Sequence, residues 1–559
     1  MRSNNHRFFA SVVTTLLGAA FIACPLSVVL CCDQNAKAQQ PDSQKPPARD
    51  EQGRPARGRG LLAEMTAFKT DVPAHPFDIV LARPTRDSMT VSVVYYEKDA
   101  CEGYVEYRRD DSAHLDRCPT QPLPTGETAL FTLEHLSPET AYVYRFKYRK
   151  VPTNNAPGAK PEPQEAEAFS SSEYYTFHTP RVPGDTFTFT IQADSHLDAS
   201  VTPAMYSQTL ANALADRPDF HIDLGDTFMT DKRGREFKET LPHYVAQRYY
   251  FGQLCHSAPL FMVLGNHDGE VGYASEGPDS MAAWSFTQRT KYFPTPEITD
   301  NADGKAMYSG RTSCAKGQGA NYYEFTWGDA QFIVLDPFWF TTNRPRGGGG
   351  GGPGGGREKK EADVAGTDEN WARTLGKDQY DWLTRTLEGS KAKYKFVLIH
   401  HLVGGLGKAN RGGVESSFFF EWGGKNADGS AGFADHRPGW AMPIHDLLVK
   451  HRVSAVFHGH DHLYVRSERD GLVYQCVPQP GNVAGGTRSA AEYGYKSGMI
   501  FGSPGCLRVR IGAEQARVEF VRSAVANAGE PGNRRGDPRN AEVNGTVMHT
   551  YSISPPIGK

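Results

Sequence analysis

Five short clusters of histidine, acid and amide punctuate the chain, and each directly follows an apolar run. In order they are DSH (Asp194, His196), GD (Gly225, Asp226), GNHD (Gly265, Asn266, His267, Asp268), HH (His400, His401) and GHDH (Gly459, His460, Asp461, His462). Imidazole, carboxylate and carboxamide donors without a thiolate suit iron, manganese or zinc and disfavour soft copper or iron–sulfur chemistry. The last cluster lies in FHGHDHLY, Phe457–Tyr464, with three histidines at alternate positions. Alternate side chains on extended backbone point the same way, so Asp194 with His196, and His460 with His462, can each converge on one ion. His458 has the same parity but lies a step deeper in its strand, which argues against a ligand role. A His-rich surface tract would explain one such cluster, not five at strand ends.

The elements that must position these residues have a β-α-β texture. TFTFTIQAD alternates apolar residues at Phe187, Phe189 and Ile191, and a helix is expected over Pro203–Arg217 with Thr202 as its N-cap. Further strands read as FHIDLGD, LFMVLGNHD, AQFIVLDP, YKFVLIHH and SAVFHGHDH, the last two preceded by helical LGKDQYDWLTRTL and MPIHDLLVKH. Strands alternating with helices imply an α/β architecture, in which ligands bind at the carboxyl ends of the strands. CLRVRI, ARVEFV and TVMHTYSI close it as antiparallel strands. Between about Phe77 and Pro180 the pattern is instead one of short alternating strands divided by turns, an antiparallel β-sandwich. Within it LSPETAYVYRFKYR resembles the fibronectin type III pattern, with Tyr142 and Tyr144 as core residues.

Of 559 residues, 61 are basic and 64 acidic, so no electrostatic footprint for nucleic acid or an anionic membrane is present. The chain opens with Arg2 and Arg7, an apolar run from Phe8 to Leu30, and Ala36-Lys37-Ala38, the form of an export signal over residues 1–38. The same run is long enough for an uncleaved anchor, and FIAC ending at Cys24 resembles a lipoprotein box, so a membrane enters only by those routes. A secreted or periplasmic location follows. Residues 39–70 read as a flexible linker, 71–182 as the β-sandwich and 183–559 as the α/β domain, with a Gly-rich insertion at 344–370 that cannot pack a core. The insertion lacks the strand-turn-helix frame and Lys-Ser or Lys-Thr end of a phosphate cradle. Cys101 and Cys118, flanking one loop of the sandwich, are expected to form a disulfide.

The ordered series D-x-H, G-D, G-N-H-D, H and G-H-x-H resembles the calcineurin-like metallophosphoesterases over roughly Phe187–Ile553. The resemblance implies a four-layer α/β/β/α sandwich preceded by the all-β fibronectin III-like sandwich. It also implies two metal ions, Fe, Mn or Zn: one held by Asp194, His196 and His462, the other by Asn266, His400 and His460, with Asp226 bridging. His400 rather than His401 is the implied ligand. Two cations of this kind offset phosphoryl charge and acidify bound water for in-line attack on a small phosphorylated substrate. His267, placed by Asn266, is expected to protonate the leaving oxygen, with Asp268 fixing its orientation. A fibronectin-like region in front is also similar to the purple acid phosphatases. Their first motif, however, has Gly where His196 stands, and their G-D-x-x-Y would put a metal-binding Tyr at Met229. Met229 also departs from the G-D-x-x-D of other relatives, with Asp231 two places late.

Between the last two clusters, Phe418, Phe419, Phe420 and Trp422 are candidates for a pocket wall and Arg437 for a phosphate contact; the alternative is a self-packed loop. His401 is either a substrate contact or a packing residue, and His221 is expected to be buried and hydrogen-bonded. Two other classes of function stay open: a non-catalytic binding protein using the sandwich beside a degenerate metal domain, and an exported nuclease. The first would show lost ligands, and the second a basic stripe.

Overall fold

Alternating strands from Phe77 onward build two facing sheets, because each buries one side against the other. In this computed structural model, which describes residues 68–151, 168–298, 307–311, 321–342, 368–407, 409–483, 485–525 and 543–555, the first sheet has the order β1 (Phe77–Ala82), β2 (Met89–Tyr95), β6 (Thr128–Leu133). The second runs β4 (Asp116–Arg117), β3 (Cys101–Arg109), β7 (Ala141–Lys150), β8 (Ser170–Ser171), with β5 (Gln121–Leu123) on β3 and β9 (Tyr175–His178) on β7. Leu81, Val91 and Phe131 from one sheet share a core with Val105, Tyr144 and Phe146 from the other. Tyr142 is core as expected, and its hydroxyl accepts the Ser137 N–H at 2.7 Å, pinning the turn ahead of β7. The export signal, the linker up to residue 67, Cys314 and residues 343–367 of the Gly-rich insertion lie outside the described residues.

The expected Cys101–Cys118 disulfide is not formed; both thiols are free and buried. The strand register is the reason. The Cys118 N–H donates to the Val105 carbonyl, so Cys118 sits opposite Val105. That is four residues, about 13 Å of extended chain, from Cys101, beyond the reach of an S–S bond. Cys101 instead lies 3.0 Å from the Tyr95 hydroxyl.

Beyond the sandwich two larger sheets stack. One has the order β12 (Leu260–Met262), β11 (Phe220–Asp223), β10 (Phe187–Gln192), β21 (Gly505–Ile511), β22 (Ala516–Arg522), β23 (Val547–Ile553), parallel through β10–β12 and antiparallel thereafter. The other runs β13 (Tyr308–Arg311), β14 (Tyr322–Trp327), β15 (Ala330–Val334), β16 (Tyr394–Ile399), β17 (Ala455–His458), β19 (Leu472–Cys476), β18 (Leu463–Arg469), β20 (Met499–Gly502), with β15, β16, β17 and β19 parallel. Phe189, Phe220, Phe332, Phe396 and Leu507 meet between them. The edge-to-face contact of Phe189 on Phe332, centroids 5.0 Å apart, is typical of this interface. Helices α1 (Pro203–Ala215), α2 (Leu241–Cys255) and α3 (Met281–Tyr292) pack with residues of the first sheet, and α4 (Lys377–Gly389) and α5 (Ile444–Lys450) with the second. The result is the expected four-layer α/β/β/α sandwich. Thr202 precedes α1 in extended conformation, but its side chain makes no cap bond, and the helix ends at Ala215, short of Arg217.

The β-sandwich is docked onto α2 by a buried cation. Arg248 of α2 donates to the carbonyls of Asp78, Ser92 and Tyr292 and to the Ser92 hydroxyl, at 2.9 to 3.2 Å. Arg248→Met keeps the stem and deletes these four bonds, at a cost of about 3 kcal/mol. Limited proteolysis with thermal melting should then show β1 and β2 cut at lower temperature than in the wild type.

Candidate metal centre

The carboxyl ends of β10, β11, β12, β16 and β17 point to one rim, and the expected ligand residues follow those strands immediately. Two groups of donors form there. Asp194, His196 and His462 bring one ligand atom each to within 4.8 Å of the others, and Asp226, His400 and His460 do the same. Asp226 touches both sets: its Oδ2 is 3.2 Å from His400 Nε2 and 3.6 Å from His196 Nε2. Asn266 joins the second set, its Oδ1 3.1 Å from His400 Nε2. His458 belongs to neither group; it is buried at the end of β17, with Gly413 beside its Nε2.

Strand parity is not what makes these side chains converge. Asp194, His196, Asp226, His460 and His462 all have positive φ, between 44° and 72°, so they sit in left-handed turns beyond the strand ends. Such backbone is unfavourable for residues with a Cβ and persists only where surrounding structure over-determines it. Part of that support is close contact between loops: a Cβ on Gly225, whose φ is +91°, would lie 2.3 Å from Gly265 N, and one on Gly265 would lie 1.9 Å from Asp226 N. Glycine at both positions lets the two turns lie back to back.

Three of the four rings are oriented by a bond on the second nitrogen. His400 Nδ1 donates to the Leu224 carbonyl at 2.8 Å, His460 Nε2 to the Ala409 carbonyl at 2.7 Å, and His196 Nδ1 pairs with Asp198 Oδ2 at 3.3 Å. The nitrogen left over faces the centre. Asp194 Oδ1, His196 Nε2 and His460 Nδ1 are buried atoms without a hydrogen-bond partner. Buried polar atoms are nearly always satisfied, so three together at one rim fit a cation site. Burial favours the neutral acid at both carboxyls, yet the imidazoles prevail: His462 and His196 hold Asp194, and His400 and His267 hold Asp226, well below the usual range. Conversely, against its burial, His400 is raised to about 9 by Asp226 and Asp194.

His267 lies beside this centre, its Nε2 4.0 Å from Asp226 Oδ2. Asp268 does not orient it. The Asp268 carboxylate is spent on main chain, accepting the N–H groups of Asp226, Thr227, Phe228 and Gly265 at 2.7 to 3.1 Å. A catalytic role for Asp268 is therefore replaced by a bracing one. The residue that holds His267 is Asp231, whose Oδ1 is 2.9 Å from Nδ1. Its position, two places beyond G-D-x-x-D, was the one signal of it in the sequence; Asp198 and Ala409 left none.

The loop after β16 packs partly on itself and partly on β18 and β19. Trp422 is fully buried with its indole N–H on the Tyr474 hydroxyl, and Arg437 binds Glu421 at 2.5 Å and the Trp371 carbonyl at 2.6 Å. Arg437 is thus not a phosphate contact, and of the aromatics only Phe418 is exposed, under the Arg469 guanidinium at 3.8 Å. His401 is a packing residue, buried against Phe338 and His460 with Asn410 Nδ2 at 3.3 Å. His221 is buried and bonded to Thr190 as expected, burial lowering its pKa to about 3.

Residues 187–464 match the family model for calcineurin-like phosphoesterases. The chain is a calcineurin-like phosphoesterase. No curated protein matches it in sequence. Among solved structures, a purple acid phosphatase, PPD1, from yellow lupin (Lupinus luteus) seeds is 14% identical, covering 85% of this chain and 74% of its own at a TM-score of 0.52. PhoD is 16% identical, covering 81% of this chain and 88% of its own, also at 0.52. At such identity these likenesses show the fold.

Measured against the purple acid phosphatases, this phosphoesterase keeps His196 in the first cluster, and Met229 is buried in a left-handed turn just before the segment that carries Asp231. Because the carboxylates raise His196 and His400, both rings carry protons near neutrality in the metal-free protein. Cations must displace those protons. Cation affinity is expected to rise with pH toward about 9, and calorimetric titration in buffers of differing ionisation enthalpy should detect proton release at pH 7.

Proposed function

We propose that the chain is an exported, binuclear-metal phosphoesterase hydrolysing phosphate monoesters or diesters. The observation that carries the binuclear reading is the set of partnerless buried ligand atoms, Asp194 Oδ1 and His196 Nε2 in one cluster and His460 Nδ1 in the other. In this reading Asp194, His196 and His462 hold one ion, Asn266, His400 and His460 the second, and Asp226 both. Iron, manganese or zinc matches these donors. When bound, the ions would supply Lewis acidity to the phosphoryl oxygens and acidify the attacking water.

The remaining chemistry belongs to the chain's own residues. His267 donates Nδ1–H to Asp231, which leaves Nε2, on the side facing Asp226, as the atom that passes a proton to the leaving oxygen. A fifth of its side chain is exposed at 21%, so a substrate can reach it while its ring stays fixed. The Asp226 carboxylate also accepts the His267 main-chain N–H at 2.8 Å, tying the acid to the ligand set.

Export is supported by Arg2 and Arg7 ahead of Phe8–Leu30 and by Ala36-Lys37-Ala38. The five described cysteines are all buried, which shields their thiols in an oxidising compartment. A fibronectin III-like assignment of 71–182, ahead of a phosphoesterase domain over 183–559, is supported by the three-strand and six-strand sheets and by the Tyr142 hydroxyl bonded back to Ser137.

Purified protein loaded with manganese, zinc or iron is expected to hydrolyse p-nitrophenyl phosphate or its bis ester, the comparison deciding between monoester and diester preference. His267→Ala should lower kcat by about 10²-fold or more on an alkyl phosphate but much less on p-nitrophenyl phosphate, whose leaving group needs no proton. Asp231→Asn should show the same leaving-group dependence. Equal losses on both substrates would remove His267 from the acid role, and fewer than two ions per chain would remove the binuclear reading.

A further inference from the structure

We propose that the segment ahead of β1, beginning at Phe68, is a built part of the metal centre, with Lys69 and Phe68 as positioning residues for the cluster of Asp194, His196 and His462. The proposal rests on the binuclear reading. Asp194, His196 and Leu197 all have left-handed backbone, unfavourable by about 1 kcal/mol or more apiece. Something outside the turn must hold it. Toward the neighbouring loop, Asp194 N–H donates to the Gly225 carbonyl at 2.9 Å and His196 N–H to that of Asp226 at 3.3 Å. On the other side the restraint comes from Lys69.

Lys69 makes two bonds that bracket one carboxylate. Its main-chain N–H donates to the Leu197 carbonyl at 2.6 Å, and its Nζ donates to the Val201 carbonyl at 2.7 Å. Between those carbonyls stands Asp198, which holds His196 Nδ1 and also accepts the Ser200 N–H at 2.8 Å. Lys69 therefore fixes both ends of the loop that aims His196. Phe68 ties in a second functional segment. Its ring lies 5.0 Å from the buried His243 ring, and the Arg233 guanidinium sits over it at 5.2 Å. Arg233 is two residues from Asp231, the partner of His267. Val72 continues the strap onto the apolar cluster that contains Leu197, Val201 and Phe228. One short piece of chain thus joins the first ligand turn to the segment that orients the proton donor, although it lies more than a hundred residues from either in sequence.

The test is manganese binding to the whole chain, followed by calorimetry and electron paramagnetic resonance. Wild-type protein is expected to take up two ions with an exchange-coupled spectrum. Lys69→Met keeps the stem and deletes the Nζ donor; it should weaken one of the two sites by about tenfold or more, in the range for loss of a partner that orients a ligand. The spectrum at limiting manganese should then match that of His462→Ala, which vacates the same cluster. Lys69→Arg, which retains a donor, should restore the pair. Phe68→Leu, which removes the ring but keeps an apolar side chain, should weaken the same site more mildly. Two wild-type sites that are both unaltered in Lys69→Met overturn the proposal alone, and so does weakening confined to the site that His462→Ala leaves intact. A wild-type chain that takes up a single ion overturns the binuclear reading and the proposal with it.

Discussion

The metal centre hangs on one buried carboxylate that faces away from it. Asp268 gathers the main-chain N–H groups of Asp226, Thr227, Phe228 and Gly265. It thereby fuses the turn after β11 to the turn after β12. Each accepted N–H is a group that would otherwise be buried without a partner, so the brace is worth several hydrogen bonds at once. Asp226 is then presented in left-handed backbone with its side chain aimed at His400 and His196. Without that fusion the one residue shared by both donor groups would have no fixed direction.

Convergence of the other donors follows from the two-sheet scaffold. β10, β11 and β12 deliver residues from one sheet and β16 and β17 from the other, and the aromatic layer between the sheets sets how far apart the rims stand. A close-packed interior transmits position rather than absorbing it. The charges then arrange themselves: two acids held ionised by surrounding imidazoles, and two imidazoles held protonated by those acids. This is the electrostatic balance expected where positive charge is to be bound, with protons standing in for it.

Much of this was legible in sequence because the decisive signal is local. A strand followed at once by D-x-H or G-N-H-D states both the element and the candidate donor, and Asp194, His196, Asp226, Asn266, His400, His460 and His462 stand together at one rim. What was not legible depends on partners distant in the chain. Asp268 stood next to His267 and read as its partner, whereas its oxygens turn to main chain of the preceding loop. Asp231 holds His267 across 36 residues, through a segment interrupted by Gly234 in left-handed conformation. Asp231 opens a 3-10 segment, Thr230–Thr240, directly after the left-handed Met229, and that turn, not a motif spacing, brings it there. Cys101 and Cys118 failed for the same reason: flanking one loop says nothing of the register that separates them.

The β-sandwich and the strap before it are better described as walls of the phosphoesterase than as an appendage. Arg248 carries a fully buried guanidinium from α2 to the main chain of β1 and β2, and burial lowers its pKa. A buried cation bonded mainly to carbonyls costs desolvation that only well-placed acceptors offset, so it fixes one docking geometry and penalises others. The same α2 carries Gln247, whose amide donates to Ser195 Oγ and the Thr227 carbonyl, each beside a donor residue. The sandwich, α2 and the two ligand turns are therefore consecutive links in one rigid chain of contacts. Displacing the sandwich from α2 would be felt at Ser195 and Thr227, and so between Asp194 and Asp226.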